Sequence, residues 1–421
     1  MITLIEALNY RCLRYVSQPL DRFHVLVGPN ASGKTTFLDV VSFLSQFINE
    51  DLEAALASRS PNIGDLLFGH HGESFSLAIE AEIPSLLLAT TAAVAVGCRS
   101  VRYEVEIGTE SNSDEVVILS ESVRFRTPQS GSKTEQRSLF PMQIDAPRSI
   151  LRAAGKGVRT AVSKASNGNA NFYSEVYPEP GKGWVVNFKL GTRKSALGSL
   201  PEDESKFPVA TWLKTLITQG VQSIVLDSLK MRKASPPGQS RKFKTDGSNL
   251  PWVIEDLRQQ DEGRFHQWIE HLQMALPDLK GIRTVEREDD RHRYLMLQYA
   301  GDLEVPSWTA SDGTLRLLAL TLPAYLPKLE GVFLIEEPEN GIHPRAVETM
   351  YQSLSNVYDA QVLLASHSPV ILSMVEPEQV LCFAKDSNGA TNIVTGSEHP
   401  ALVDWQRETS LGVLFAAGVL G

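Results

Sequence analysis

Residues 28–35 read Gly-Pro-Asn-Ala-Ser-Gly-Lys-Thr, the pattern G-x-x-x-x-G-K-[ST], and their flanks fix what this part of the chain can fold into. Ahead of them, His24-Val25-Leu26-Val27 is a short apolar run of the kind that forms a strand buried on both faces. Behind them, Phe37, Val40, Val41, Leu44, Phe47 and Ile48 recur at helical spacing. A glycine-containing turn between buried strand and helix lets backbone N–H groups curl around phosphate oxygens, and the helix N-terminus adds positive dipole. In such a loop Lys34 reaches the β- and γ-phosphates and the Thr35 hydroxyl holds Mg²⁺. The bland alternative is a chance match, which the strand before and the helix after argue against.

A second group of residues belongs with the first. Val332-Phe333-Leu334-Ile335 runs into Glu336-Glu337, and Val362-Leu363-Leu364-Ala365 runs into Ser366-His367-Ser368-Pro369. Between them Val347, Met350, Tyr351, Leu354 and Val357 repeat at helical spacing. A carboxylate at the end of a buried strand can hold Mg²⁺ through its shell, and a second one directly after it can polarise an attacking water. Glu336 and Glu337 suit these two roles; the bland reading is a pair of surface acids. Lys34 and Glu336 lie 302 positions apart. A compact domain cannot absorb that distance as loop, so a folded insertion is expected between the halves.

The middle has a different character. Val101 to Ile107 and Trp184 to Phe188 alternate as antiparallel strands do, and Lys164 to Asn171 reads as a polar, glycine-containing connection. Lys230 to Leu250 reads as an exposed loop broken at Pro236-Pro237-Gly238. The mixed-sign row Arg287 to Arg293 reads as a self-paired hairpin tip. The expected division is residues 1–84, an insertion at 85–305, and 306–421.

Composition narrows the setting. The 421 residues carry 40 Lys and Arg against 50 Asp and Glu, a net charge of −10 that argues against a chain coated in nucleic acid. Cys12, Cys98 and Cys382 show no ligand spacing, which fits a reducing cytosol and argues against a disulfide scaffold or zinc ribbon. The N-terminus lacks the charge and apolar pattern of a signal peptide. The longest uncharged stretch, Ile83 to Cys98, is 16 residues and contains Pro84. A membrane span needs about 20 apolar residues, so this stretch reads as core. No membrane association is expected, and the cytoplasm is the expected location.

With Ser311-Asp312-Gly313-Thr314 ahead of the acidic pair, the sequence resembles an ABC-type ATPase of the SMC/RecF-like group, specifically the stand-alone OLD-like branch of AAA-family ATPases found in phage-defence operons. GPNASGKTT, SDGTLRLLAL, FLIEEPENGIHP and LLASHSPV carry the resemblance, which covers about the first 75 and the last 120 residues. Gly247-Ser248-Asn249-Leu250 matches loosely. The fold this implies is α/β: a P-loop ABC-type ATPase core with a large α+β insertion between Walker A and signature.

The resemblance assigns roles residue by residue. Gly28, Pro29, Asn30, Ala31, Ser32, Gly33, Lys34, Thr35 and Thr36 would bind ATP, with Mg²⁺ held by Thr35 and Glu336. Ser311, Asp312, Gly313 and Thr314 resemble the signature that contacts the γ-phosphate bound to the opposite protomer; small residues opening a helix can present N–H groups to an anion. Glu337 resembles the catalytic glutamate and His367 the switch histidine. Glu339 to Pro344 resembles the D-loop, and Arg11 and Arg14 the N-terminal arm near the base. No glutamine fits the glutamine loop.

The expected function is a dimeric, ATP-hydrolysing conformational switch in genome maintenance or anti-phage defence, as a homodimer or higher assembly of dimers. The alternatives are the ATPase subunit of a membrane transporter, which the long insertion disfavours, and an ATP-binding scaffold with negligible turnover. Only 54 residues follow His367, too few for the nuclease domain that OLD-type proteins often carry, so a separately encoded nuclease or toxin is the expected effector. The apolar tail from Leu411 to Gly421 is expected to dock on its own core, a second protomer or a partner. Two stretches, Ser122 to Lys164 and Ser228 to Asp246, are basic. Such a stretch is usually a solvated face; a DNA- or RNA-contacting groove in the insertion is the other reading.

Overall fold

The computed structural model describes residues 1–89, 91, 97–110, 115–127, 139–152, 159–176, 185–402 and 410–420. By its internal contacts the chain divides into two units: residues 1–221 with 377–406 and 420–421, and residues 222–376 with 407–419. The class is α/β, as the sequence implies.

In the first unit, strands β1 (Ile2–Tyr10), β2 (Leu13–Pro19), β3 (Phe23–Val27), β4 (Ser74–Glu82), β5 (Ser100–Thr109), β6 (Val116–Arg126), β7 (Arg159–Ala165), β8 (Asn169–Tyr173) and β9 (Val185–Lys189) appear in turn. All but β3 form one antiparallel sheet in the order β2-β1-β4-β5-β6-β7-β8-β9. The expected strand at Val101–Ile107 is β5, and Val185–Phe188 lie in β9; Trp184 lies outside the described residues. The connection expected over Lys164–Asn171 shrinks to residues 166–168, because Gly168 at φ 81° permits a tight hairpin.

The loop helix (Lys34–Asn49) buries its expected apolar stripe against this sheet. Phe43 meets Tyr10 of β1 at 5.9 Å and Phe75 of β4 at 5.7 Å between ring centroids. Phe37, Phe43 and Phe47 are fully buried, and each such side chain stabilises by about 1.5–3 kcal/mol. Every residue of β3 is buried, which explains its unbroken apolar run.

The second unit begins within β10 (Val221–Ile224) and continues with β11 (Leu279–Glu286), β12 (Arg293–Tyr299), β13 (Leu303–Pro306), β14 (Gly331–Glu336) and β15 (Ala360–Ala365). β14 and β15 are parallel, with β10 beside β14; β11-β12-β13 is a small antiparallel sheet. Residues 287–292 form the hairpin tip that the mixed charges imply, with Arg291 2.9 Å and Arg293 2.6 Å from Glu286. The signature-like segment opens the helix Asp312–Thr321, which Trp268 pins by a 2.9 Å bond from its indole N–H to Thr321. The helix after β14 is Pro344–Ser355, so Val357 falls beyond its end. The chain then returns to the first unit as β16 (Val380–Lys385), parallel to β3, and β17 (Thr391–Thr395), antiparallel to β16.

Two expectations need correction. Ile83 to Cys98 is not core throughout: Ile83, Thr91 and Cys98 are buried, but Leu86 is 80% exposed on the short helix Ser85–Leu88; residues 90 and 92–96 lie outside the described residues. Lys230 to Leu250 is not a plain exposed loop. Fully buried Asn249 clasps it, its amide N–H donating to Ser240 O (2.8 Å) and Lys242 O (2.7 Å) while its carbonyl accepts from Lys244 N–H (3.0 Å). A side chain that satisfies three backbone groups at once orders a loop that its composition leaves open.

Candidate nucleotide site

The phosphate loop lies wholly in the first unit. Gly28 (φ 149°), Ala31 (φ 62°) and Gly33 (φ 107°) take positive φ, which folds the loop back over the start of the loop helix. Space as well as conformation requires both glycines. A Cβ at Gly28 would collide with the Phe383 carbonyl of β16, and one at Gly33 with the Thr391 hydroxyl of β17. Lys34 is 8% exposed, and its ammonium donates to Gly28 O (2.8 Å) and Pro29 O (3.0 Å). The Ser32 hydroxyl is buried without a hydrogen-bond partner. A loop of upturned backbone with an orphaned hydroxyl and an ammonium lying across it fits a polyphosphate.

Arg11, at φ 52°, turns its side chain to Asp39 of the loop helix at 3.4 Å. Asp39 also takes Arg59 at 2.7 Å and the Tyr10 hydroxyl at 2.6 Å. Arg14 is half-buried on β2.

The second group of expected residues gathers in the second unit. Glu336 ends β14, and Glu337 follows at φ 46° with its N–H bonded to Ala365 O of β15 (2.8 Å). That conformation is uncommon for a residue with a side chain, and such strain clusters where a group must be aimed. The Glu337 carboxylate accepts from the Asn340 amide at 2.5 Å and stands 4.0 Å from His367 Nε2. His367 is held from the other side: one carboxylate oxygen of Glu339 accepts from the Ser366 hydroxyl (2.7 Å) and from the His367 backbone N–H (3.0 Å). β14 and β15 are in register, Glu336 opposite Ala365, which is why the two strand ends deliver the glutamates and the histidine together.

Ser311 caps its helix by accepting from Thr314 N–H at 3.1 Å. The Cα of Gly313 faces the D-loop-like turn, where an added Cβ would lie 2.6 Å from Gly341 O. Arg232 pairs with Asp312 at 2.6 Å and donates to Ala310 O at 3.0 Å. Counted in the sequence only as one cation of a basic stretch, Arg232 thus steadies the segment that leads into the signature-like turn. Thr391 and Phe383 were likewise missed; they lie some 350 residues from the loop they support, and no local signal marks them.

Each unit carries one oxygen donor of the kind that Mg²⁺ prefers. The Thr35 hydroxyl and the Glu336 carboxylate are hard oxygen ligands, and no group of three or more His, Cys, Asp or Glu is placed to hold a metal among the described residues. Mg²⁺ that arrives with a nucleotide needs only one or two protein oxygens beside phosphate and water.

The two basic stretches differ: Lys230, Lys233, Arg241, Lys242 and Lys244 of the second are exposed, as are Arg148 and Arg152 of the first, whereas the other described cations of the first are engaged within the fold. Arg124 pairs with Glu104 (3.0 Å), Arg126 with Glu80, and Arg159 and the buried Lys164 donate to backbone carbonyls. Lys133, Arg137 and Lys156 lie outside the described residues. The tail docks in part as expected: Leu411 and Gly412 are buried, Gly412 abuts the Pro369 backbone, and Phe415 approaches the His367 ring at 6.2 Å. No described helix is long and apolar enough to cross a membrane.

A family model described as "AAA domain, putative AbiEii toxin, Type IV TA system" matches residues 23–373. No protein of curated function matches. Similar solved structures include the Smc head bound to the C-winged-helix domain of ScpA, at 14% identity and TM-score 0.49, covering 93% of this chain and 97% of that one. An Smc head with an extended coiled coil, bound to the C-terminal domain of ScpA from Pyrococcus furiosus, gives 14% identity and TM-score 0.47 with 97% and 99% coverage. The SMC head domain from Thermotoga maritima gives 10% and 0.40, with 94% and 98%. The family match runs from the strand ahead of the phosphate loop to just beyond the short helix after His367, and by it the chain belongs to this AAA-domain family.

Proposed function

We propose that the chain binds Mg-ATP and hydrolyses it as a dimeric conformational switch, in genome maintenance or anti-phage defence, acting on a separately encoded effector. The observation that carries the hydrolytic reading is Glu337: a carboxylate at the end of a buried strand, on strained backbone, with His367 4.0 Å away and Asn340 fixing its second oxygen. A general base is positioned in this way, since it must meet a water at one place and one angle. Gly28 to Thr36 cradle the phosphates, with Lys34 exchanging its bonds to the loop carbonyls for the β- and γ-phosphates. Thr35 and Glu336 would hold Mg²⁺, which would supply charge neutralisation at the phosphates. Glu337 orients water, and His367 donates toward the γ-phosphate. Ser311 to Thr314 face the nucleotide of the opposite protomer. The family's own description, which names a type IV TA system, supports the defence setting.

The test compares wild type, Lys34→Ala and Glu337→Gln in binding of fluorescent ATP and in steady-state hydrolysis. Lys34→Ala should lose binding. Glu337→Gln should bind ATP, form a stable dimer with it, and turn over about 10²–10⁴-fold more slowly. Binding that survives in Lys34→Ala would remove the basis of the assignment. Wild-type binding without turnover would make the protein a scaffold instead of a switch. For the effector, pull-downs of the three forms should recover the same partner in different amounts, because a switch acts only through unequal affinity of its two states.

A further inference from the structure

We propose that Thr391 of β17 is a positioning residue of the phosphate loop, aiming the Gly33 N–H at the phosphate from a strand about 360 residues away in sequence; the inference rests on the nucleotide-binding reading above. Thr391 is 2% exposed and ties three segments together. Its hydroxyl donates to Ser32 O at 2.9 Å, and its backbone N–H donates to Cys12 O in the β1–β2 turn at 2.9 Å. Its side chain also fills the space that a Cβ on Gly33 would need.

The hydrogen bond to Ser32 O has a geometric consequence. The Ser32 carbonyl and the Gly33 N–H belong to one planar trans peptide, so they point in opposite directions. Holding the carbonyl toward β17 turns the N–H away from β17. Gly33, at φ 107°, has too little intrinsic preference to hold that orientation by itself. The loop supplies no substitute within itself: Lys34 bonds the carbonyls of Gly28 and Pro29, and Ser32 N–H bonds Pro29 O at 3.2 Å. The neighbouring β16 supports the other end, where Gly28 lies against the Phe383 backbone. The hairpin β16–β17 is therefore a floor under both glycines, and Thr391 is its polar contact with the loop peptide.

Thr391→Val keeps the shape and removes the donor, while Thr391→Ser keeps the donor and removes a methyl group. One hydrogen bond that shifts the loop's competent population changes the apparent affinity by about five- to tenfold. The experiment titrates fluorescent ATP and ADP into full-length wild type, Lys34→Ala, Thr391→Val and Thr391→Ser, with melting temperature and kcat at saturating ATP measured alongside. Thr391→Val should weaken both nucleotides about five- to tenfold with kcat within about twofold, and Thr391→Ser should recover affinity to within about threefold. Wild-type affinity in Thr391→Val, with only its melting temperature lowered, would reduce Thr391 to structural support. Equal weakening in Thr391→Ser would assign the effect to packing and overturn the hydrogen-bond argument. If wild type binds no nucleotide, the functional reading itself fails, a result distinct from either.

Discussion

Replacing Glu339 tests whether His367, the proposed switch histidine, is held in place by the turn after the strained glutamate. One carboxylate oxygen accepts from the Ser366 hydroxyl at 2.7 Å and the His367 N–H at 3.0 Å, and Ser366 in turn accepts from Ser368 N–H at 3.0 Å. Glu339→Ala removes the acceptor for both donors. Hydrogen bonds to a charged group contribute about 1.5–3 kcal/mol each. Both share one oxygen at a half-buried site where water can partly replace it, so a net loss of about 2–3 kcal/mol is expected. The catalytic effect is separate. Re-ordering one freed backbone residue costs about 1–2 kcal/mol, equivalent to about a 5- to 30-fold smaller population with His367 in place. Steady-state ATPase across ATP concentration, with melting curves, should show kcat reduced by that factor and KM changed by less than about threefold. Glu339→Gln retains an amide oxygen for the same two donors and should recover most of kcat. Unchanged kcat in Glu339→Ala, beside a lowered melting temperature, would show that the clamp supports the fold and not His367.

Mixing Lys34→Ala with Ser311→Arg protein should restore activity to at most about a quarter of wild type, since half the dimers carry one intact composite site of two. No recovery with subunit exchange confirmed would refute action across the interface. Gly313→Ala places a Cβ 2.6 Å from Gly341 O; hydrolysis should fall with ATP binding retained, and stability should drop by about 1–3 kcal/mol. Wild-type turnover would show that the signature-like turn tolerates displacement. Burial pushes the Glu175 carboxyl up to about 7, against the opposing bonds from Val209 and Ala210 N–H. The folded state therefore binds this proton more tightly than the unfolded state. Stability from it is present in acid and lost as pH rises from about 4.5 to about 7. Wild type should lose up to about 3 kcal/mol relative to Glu175→Gln over that interval, measured by urea midpoints; parallel profiles would refute the shift.

The strand–loop–helix at residues 23–49 was legible because every constraint on it is local. An apolar run, two glycines at fixed spacing and a helical stripe each specify their own few residues, and β3 and the loop helix follow them. The same holds for β14 and β15, whose runs end at the glutamates and the histidine. Local pattern could also mark Ser311 as a helix cap.

Exposure was harder to read. Leu86 looked like core and is exposed, while the polar segment around Asn249 is folded on itself. Hydropathy reports what a side chain prefers and not what the rest of the chain leaves room for. The basic stretch of the middle shows this most clearly: Arg124 and Arg126 look free in sequence, but cross-strand register sets them beside Glu104 and Glu80. By itself, then, the sequence determined the phosphate loop, its flanking elements and the family. Only the tertiary structure decided which distant residues hold that chemistry in place: Thr391 under Gly33, Glu339 behind His367, Arg232 beside Asp312. The physical reason is range. Backbone conformation and helix or strand periodicity act over a few residues, whereas a hydrogen bond acts over about 3 Å of space regardless of the number of residues between its partners.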